Sequence, residues 1–139
     1  MIKLLFGADQ QVIHWVMERL PGLSFDRCTA IGVTAAGQII AGAVYHNYVK
    51  DYGNIEMTVA SATPRWATRR VISTLLHYPF TQLGCGRVTA TCREGNTHAV
   101  NFNLRLGFKK EGILRKGCGH EDMVIMGMLK EEAVKWLGR

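Results

Sequence analysis

The sequence predicts one α/β domain with a mixed sheet flanked by helices, and three observations carry this prediction. Runs of alternating or β-branched apolar residues, typical of strands, are interleaved with runs of helical spacing. The 139 residues suffice for one domain but not for two with a sizeable core each. A composition of 47% hydrophobic and 20% charged residues is ordinary for a globular protein. We therefore expect residues 1–139 to form a single domain with about seven strands.

The first half of the chain predicts a strand, a helix and a three-stranded meander. Asp9 can cap the helix at its start, and Pro21-Gly22 ends it. Ala35 to Gln38 is typical of a hairpin turn, and the last meander strand alternates strictly. The predicted elements are a strand at Ile2–Phe6, a helix from Asp9 to about Leu20, and strands at Cys28–Val33, Ile39–His46 and Asn54–Val59.

The second half predicts two longer helices separated by a strand, then two further strands and a terminal helix. The first helix follows Pro64 and runs for about fifteen residues, with apolar residues at helical spacing, before Gly84. A β-branched run then indicates a strand, and Gly107 ends the second helix. The remaining predicted elements are a strand at Arg87–Cys92, a helix at Asn96–Leu106, strands at Phe108–Lys116 and Asp122–Leu129, and a helix at Lys130–Leu137.

Charge and cysteine content limit the classes of partner and compartment. A net charge of +6 favours an anionic partner without choosing one. Four cysteines show no CxxC or Cys/His ligand spacing, so we expect reduced thiols, a cytoplasmic protein and no metal site. No apolar run reaches the roughly 18 residues of a membrane span, and Met1 to Phe6 is too short an apolar run for a signal peptide.

The stretch from Asn96 to Arg115 carries the most specific pattern, N-x-x-A-x(7)-G-F-x-x-E-G-x-x-R. It resembles the second cofactor-side motif of the GNAT superfamily of acyl-CoA-dependent N-acetyltransferases, in particular the ribosomal-protein N-terminal acetyltransferase branch. The element order matches that family too, so the resemblance implies a GNAT-like fold and acetyl-CoA as co-substrate. From the residues alone, Asn96 can either cap a helix or bond an extended ligand. The matching positions are Asn96, Ala99, Gly107, Phe108, Glu111, Gly112 and Arg115.

The resemblance also implies where acetyl-CoA would bind. The family's glycine-rich phosphate loop falls on Pro64 to Arg70, where neither glycine is present and Ala67 is the only small residue at the key position. Three arginines there can bond phosphate in a forked geometry, or they form a solvated basic helix face. Backbone groups of the last meander strand would pair with the pantetheine amides in a gap beside that strand. The implied cofactor-binding residues are Met57, Thr58, Val59, Arg65, Ala67, Thr68, Arg69, Arg70 and Asn96.

Two residues are candidates for the chemistry of acetyl transfer. Glu56 is the acidic candidate for a base, and alternation places it on the face of Asn54 and Thr58. A salt bridge or a solvent-facing carboxylate is the alternative for Glu56. Asn103 stands where many members of the resembled family have a tyrosine acid; it could donate a hydrogen bond toward sulfur, or be a polar residue of the helix surface. Tyr45, His46 and Tyr48 could line the acceptor side.

The function expected from the resemblance is direct transfer of acetyl from acetyl-CoA to a primary amine of a protein or small molecule. The alternative is a diverged CoA-binding or interaction module on the same fold, because the loop glycines and the usual acid are missing. A nucleic-acid partner is not expected, since aromatic and basic residues are not interleaved on one element. The resemblance also implies that two copies can pair as a homodimer through the C-terminal strands.

Overall fold

Seven strands form one continuous sheet in the computed structural model, which describes residues 1–138. Arg139, the last residue of the predicted domain, lies outside the described residues. The strands are β1 (Ile2–Leu5), β2 (Thr29–Ala35), β3 (Gln38–Val49), β4 (Asn54–Ser61), β5 (Arg87–Arg93), β6 (Lys109–Cys118) and β7 (Glu121–Leu129). The helices are α1 (Asp9–Arg19), α2 (Arg69–His77), α3 (Thr97–Leu106) and α4 (Val134–Leu137).

The order of strands in the sheet is β1-β2-β3-β4-β5-β7-β6. All neighbouring strands are antiparallel except β4 and β5, which are parallel and joined by the crossover through α2. The predicted order of strands and helices, and the predicted α/β class with a mixed sheet of seven strands, are confirmed.

Helix α1 covers one face of the sheet at β2 and β3, through contact with two glycines that are direct cross-strand partners. A Cβ atom at Gly32 would lie 2.9 Å from Val12, and one at Gly42 would lie 2.8 Å from both Val12 and Val16. Because these positions have no side chain, the fully buried Val12 and Val16 can reach the strand backbone. The larger cluster of buried residues lies on the opposite face, under α2, α3 and α4.

Several predicted boundaries are wrong in detail. Asp9 does not cap α1: it is the first helical residue, and its Oδ2 accepts a hydrogen bond from the Ala30 backbone N at 3.3 Å, which joins α1 to β2. The helix predicted after Pro64 is a 3-10 turn at Pro64–Trp66, then α2, then a π-helical turn at Tyr78–Gln82. The terminal helix is likewise a 3-10 turn at Lys130–Glu132 followed by α4. Side-chain caps mark the first of these interruptions, since Thr63 caps the 3-10 turn and Thr68 caps α2.

Candidate active site

The sheet opens between its two parallel strands. The pairs between β4 and β5 are Asn54 with Arg87, Ile55 with Val88 and Glu56 with Thr89. Within residues 1–138, the β5-facing edge of β4 has no strand partner beyond Glu56, although β4 continues to Ser61. This edge includes the backbone of the predicted cofactor-binding residues Met57, Thr58 and Val59. Their unpaired peptide groups are suited to bond the amides of an extended ligand.

The loop between β4 and α2 bonds several of its own backbone N–H groups. Arg65 N donates to Thr63 Oγ1 at 3.4 Å, and Ala67 N donates to the Pro64 carbonyl oxygen at 3.2 Å. Thr68 N donates to the Trp66 carbonyl oxygen at 2.9 Å, while the Thr68 hydroxyl caps α2 by accepting from Val71 N at 3.2 Å. These bonds follow from the side-chain caps and the 3-10 turn. The amides of Arg69 and Arg70, in the first turn of α2, are in the position where helix N-termini bind anions.

The three arginines predicted near the phosphate have different partners. Arg69 donates from its guanidinium to the Lys135 carbonyl oxygen of α4, and its guanidinium carbon lies 5.3 Å from the centre of the Trp136 ring. Arg70 donates to the Ile2 carbonyl oxygen of β1 at 2.9 Å. Both therefore tie α2 to distant segments of the chain. Arg65 is exposed and lies in the 3-10 turn that precedes α2.

Trp66 connects this loop to α3. Its side chain is 5% exposed, and its ring centre lies 5.6 Å from that of Phe102 on α3. The indole therefore fills the space between the start of α2 and α3, on the side of the sheet opposite α1. A ligand that passes between these two helices must contact the indole or displace it.

The two motif residues on α3 have local partners. Asn96 is the N-cap of α3: its Oδ1 accepts from Ala99 N at 3.2 Å, and the residue is exposed. This cap uses the carbonyl oxygen of the side chain and leaves its amide group at the surface. Asn103 lies partly buried against the sheet, and its Nδ2 points to two sulfur atoms, Cys92 Sγ at 3.4 Å and Met126 Sδ at 3.9 Å.

Polar side chains cover the α1 side of the sheet where β4 leaves β5. Glu56 shares this face with Asn54 and Thr58, as predicted, while Ile55 and Met57 belong to the core on the opposite face. Glu56 Oε2 accepts a hydrogen bond at 2.7 Å from Asn47 Nδ2, at an irregular end of β3 where Asn47 has a φ of 50°. Glu56 is thus hydrogen-bonded to a neutral amide at the end of the paired segment.

His46 lies opposite Glu56 in the β3–β4 register. Its Nε2 is 2.8 Å from Thr58 Oγ1, and its ring centre is 4.9 Å from that of Phe25, which lies in the loop before β2. Partial burial lowers the pKa of His46, an effect opposed by the negative charge of Glu56. The imidazole is therefore neutral at neutral pH.

A network of side-chain hydrogen bonds, which the sequence did not predict, extends from β4 to β6. Asn54 Oδ1 accepts from the Thr89 hydroxyl at 2.9 Å, and Thr89 accepts from Arg87 Nε at 2.9 Å. Arg87 then donates to both carboxylate oxygens of Glu111 at 2.5 and 3.1 Å, which lowers the pKa of that carboxyl group. The pair crosses over Gly127 of β7, where a Cβ would lie 2.6 Å from each partner.

The comparisons with known proteins match the fold but no sequence family. No family model matches the chain, and no curated protein matches it. Among solved structures, mutant forms of the spermidine/spermine N-acetyltransferase SpeG from Vibrio cholerae superpose with a TM-score of 0.77 at 16% identity, covering 97% of this chain and 98% of that one. Another SpeG mutant gives 0.74 at 18% identity over 100% and 98% of the two chains. A T. thermophilus protein provisionally described as an acetyltransferase superposes with a TM-score of 0.70 at 21% identity. The match covers 86% of this chain and 67% of that one.

The chain has a GNAT fold. Met57 lies on the unpaired edge of β4, Arg65 in the loop that follows β4, and Asn96 at the N-terminus of α3. A cavity of about 450 Å³ lies elsewhere, beside Phe6 and Tyr78, and is lined by none of the predicted site residues.

Two further observations concern metals and membranes. Within residues 1–138, histidine, cysteine and acidic residues form no group of three that could hold a metal ion. None of the helices in this range has the length and apolar character that crossing a bilayer requires.

Proposed function

We propose that this chain is an acyl-CoA-dependent N-acetyltransferase that moves acetyl from acetyl-CoA to a primary amine of a protein or a small molecule. The observation that supports this most directly is the opening of the sheet after Glu56, in a fold shared with SpeG. The unpaired edge of β4 offers peptide groups to an extended co-substrate. The polar face around Glu56, His46 and Thr58 borders that edge and offers groups that can handle a proton.

In this proposal, different residues of the chain bind different parts of acetyl-CoA. Bound acetyl-CoA supplies the acetyl thioester. Backbone groups of Met57, Thr58 and Val59 hold its pantetheine arm, and the amides of Arg69 and Arg70 at the start of α2 face its phosphates. The exposed Arg65 adds a positive charge at the loop between Thr63 and Thr68, while Ala67 keeps the backbone there accessible. In this proposal the amide group of Asn96, whose carbonyl oxygen caps α3, donates to the pantetheine arm.

Asn103 has a supporting part in this proposal. The amide of Asn103 already donates toward two protein sulfur atoms, so it is chemically able to donate toward a departing thiolate. It lies on the side of α3 that faces the sheet. Glu56 remains a candidate acid–base group on the acceptor side, through its carboxylate near Asn47.

The neighbours and the sequence motif indicate which amine acceptors to test first. The V. cholerae neighbours are spermidine or spermine acetyltransferases, so polyamines are the first acceptors to test. The Asn96 to Arg115 motif resembles that of the ribosomal-protein branch, which makes a protein N-terminus the second acceptor to test. Lysine side chains complete the panel of primary amines.

Two measurements test the proposal. A ligand that binds the native state raises the melting temperature, so acetyl-CoA and CoA at millimolar concentration should each raise it. Release of free thiol from acetyl-CoA should then depend on an added amine. A melting temperature unchanged by both ligands would reject CoA binding. A shift without amine-dependent thiol release would instead identify the diverged CoA-binding module, which the acetyltransferase neighbours do not favour.

The compartment and the assembly state belong to the same proposal. The four cysteines of the described chain form no disulfide, which fits a cytoplasmic protein with reduced thiols. The outer edge of β6 is the end of the sheet, and Ile113 and Leu114 on that strand are about half exposed. This edge supports pairing of two copies, and sedimentation velocity over a range of concentrations tests for the homodimer.

A further inference from the structure

The hydroxyl of Thr58 links the opening of the sheet to a neutral imidazole. Thr58 is the second residue of β4 beyond its last pair with β5, so its side chain borders the unpaired edge. On the same face, His46 Nε2 lies 2.8 Å from Thr58 Oγ1. Because Nε2 of a neutral histidine accepts when Nδ1 carries the proton, the hydroxyl can donate to it and keep its lone pairs for another donor.

The surroundings of His46 keep this pair in place. Phe25 packs against the ring from the loop before β2, and the adjacent residues of that loop, Asp26 and Arg27, carry opposite charges. From β4, Glu56 is the charged group that faces the ring, but its Oε2 accepts from Asn47. The imidazole, unlike the carboxylate of Glu56, thus lies in direct contact with a residue of the unpaired segment.

We propose, on the basis of the proposed transferase function, that Thr58 and His46 form the proton relay that deprotonates the acceptor amine. An alkylammonium has a pKa of about 10, so at neutral pH nearly all of the acceptor carries a proton that must be removed before attack. The ammonium gives one proton to Thr58 Oγ1 while the Thr58 hydroxyl proton passes to His46 Nε2.

The deprotonated amine then attacks the acetyl thioester. The neutral amine nitrogen bonds to the carbonyl carbon of the acetyl thioester, and the carbon–sulfur bond breaks with its electron pair on sulfur. The second amine proton goes to the departing sulfur, which yields the amide and the free thiol. His46 then releases its proton to water. Partial burial, which lowers the pKa of His46, makes the imidazole neutral at neutral pH and ready for the next cycle.

The test compares variants by the pH dependence of amine-dependent thiol release. In the wild type, kcat/KM should fall at acid pH with an apparent pKa below 6.5, the ordinary value for histidine. His46→Gln and Thr58→Val should each lower kcat/KM at pH 7 by about 100-fold and remove that acid limb. Thr58→Ser keeps the hydroxyl and should restore most of the rate. His14→Gln is the matched control, because His14 is exposed on α1 and pairs only with Glu18.

Melting temperatures, with and without acetyl-CoA, show whether each variant folds and binds co-substrate. If a variant does not fold, NMR titration of the His46 imidazole in the wild-type protein tests the relay in place of the kinetics of that variant. The relay requires a pKa below 6.5 and a proton on Nδ1, and an ordinary pKa with the proton on Nε2 would overturn it.

The outcomes separate this inference from the function on which it rests. A wild-type protein that releases no thiol with spermidine, a lysine peptide or a peptide N-terminus would overturn the transferase function, and the relay with it. An active wild type in which His46→Gln keeps both the rate and the acid limb would overturn the relay alone. Loss of the limb in Glu56→Gln but not in His46→Gln would assign the base to Glu56 and also overturn the relay.

Discussion

At the scale of single residues, Asn96 has one confirmed contact and one proposed contact. Its Oδ1 caps α3 by accepting from Ala99 N, while the residue is exposed and its amide group is proposed to bond acetyl-CoA. The two atoms can be separated by mutation, because serine is as good an N-cap as asparagine but has no amide. The helix cap therefore requires only the side-chain oxygen, whereas the proposed ligand contact requires the amide group.

We expect Asn96→Ser to keep the stability of the protein and to weaken acetyl-CoA binding. Asn96→Ala should weaken binding and also lower the free energy of unfolding by about 1 kcal/mol, because the cap is lost. Urea denaturation gives the stability, and thermal-shift titration gives the affinity. Unaltered acetyl-CoA affinity in both variants would restrict Asn96 to the role of a helix cap.

Trp66 is a second residue whose packing can be tested by mutation. Its buried indole packs against Phe102, so Trp66→Ala should lower the free energy of unfolding by about 3–5 kcal/mol. Trp66→Phe keeps an aromatic ring and should lower the free energy of unfolding by a smaller amount. If acetyl-CoA passes between α2 and α3, it should also change the fluorescence of Trp66 in a protein with Trp15 and Trp136 replaced by phenylalanine. Fluorescence that is constant up to saturation would place the ligand elsewhere.

At the scale of elements, two glycines set how closely α1 approaches the sheet. We expect Gly42→Ala to lower the free energy of unfolding by about 1–3 kcal/mol, because the added Cβ would lie 2.8 Å from Val12 and Val16 in a well-packed contact. Gly86→Ala is the matched control, since nothing lies within 4 Å of its Cβ and its φ is not positive. Chemical denaturation of both variants measures the difference, and equal stability would contradict this packing argument.

The strands β5, β7 and β6 are connected by a side-chain bridge as well as by backbone pairing. Glu111 of the sequence motif reaches Arg87 of β5 across β7 only because position 127 is glycine. Glu111 of the motif therefore has a contact that stabilises the sheet, its ion pair with Arg87. This bridge also links the edge strand β6 to Thr89 and Asn54, beside the opening.

At the scale of the whole molecule, stability should fall on acidification in two separate ranges. The pKa of His46 is lower in the folded protein, so the unfolded chain takes up its proton first and stability declines as the pH falls below about 6.5. The pKa values of Glu111 and Glu132 are also lowered in the folded state, mainly by hydrogen bonds from Arg87 and Lys109. Their contribution is present above about 4.5 and is lost as the pH falls through the lower, folded values.

Two variants separate these ranges. His46→Gln should remove the decline near neutral pH, and Glu111→Gln should reduce the decline at acid pH. Urea denaturation at a series of pH values measures both. A wild-type stability that is constant between about pH 7 and about pH 5 would contradict the lowered pKa of His46.

Sequence patterns alone predict the type and order of the elements, the alternation that puts Glu56 on the face of Thr58, and the motif from Asn96 to Arg115. These features depend on residues that are close together in the sequence, so periodicity and spacing are enough to predict them. Even here the ends of elements were missed where a side chain made an unexpected contact, as Asp9 does with Ala30.

The hydrogen-bond partners of the candidate residues, in contrast, depend on how the chain folds in three dimensions. Arg70 bonds the backbone of Ile2, 68 positions away, and Arg87 bonds Glu111, 24 positions away. The sequence around a charged residue does not show which distant residue will be its hydrogen-bond partner, because the strand order sets that partner. The opening after Glu56 and the contact between His46 and Thr58 depend in the same way on how β4 lies between β3 and β5. Residue chemistry is local, whereas contact geometry is set by the arrangement of the whole sheet.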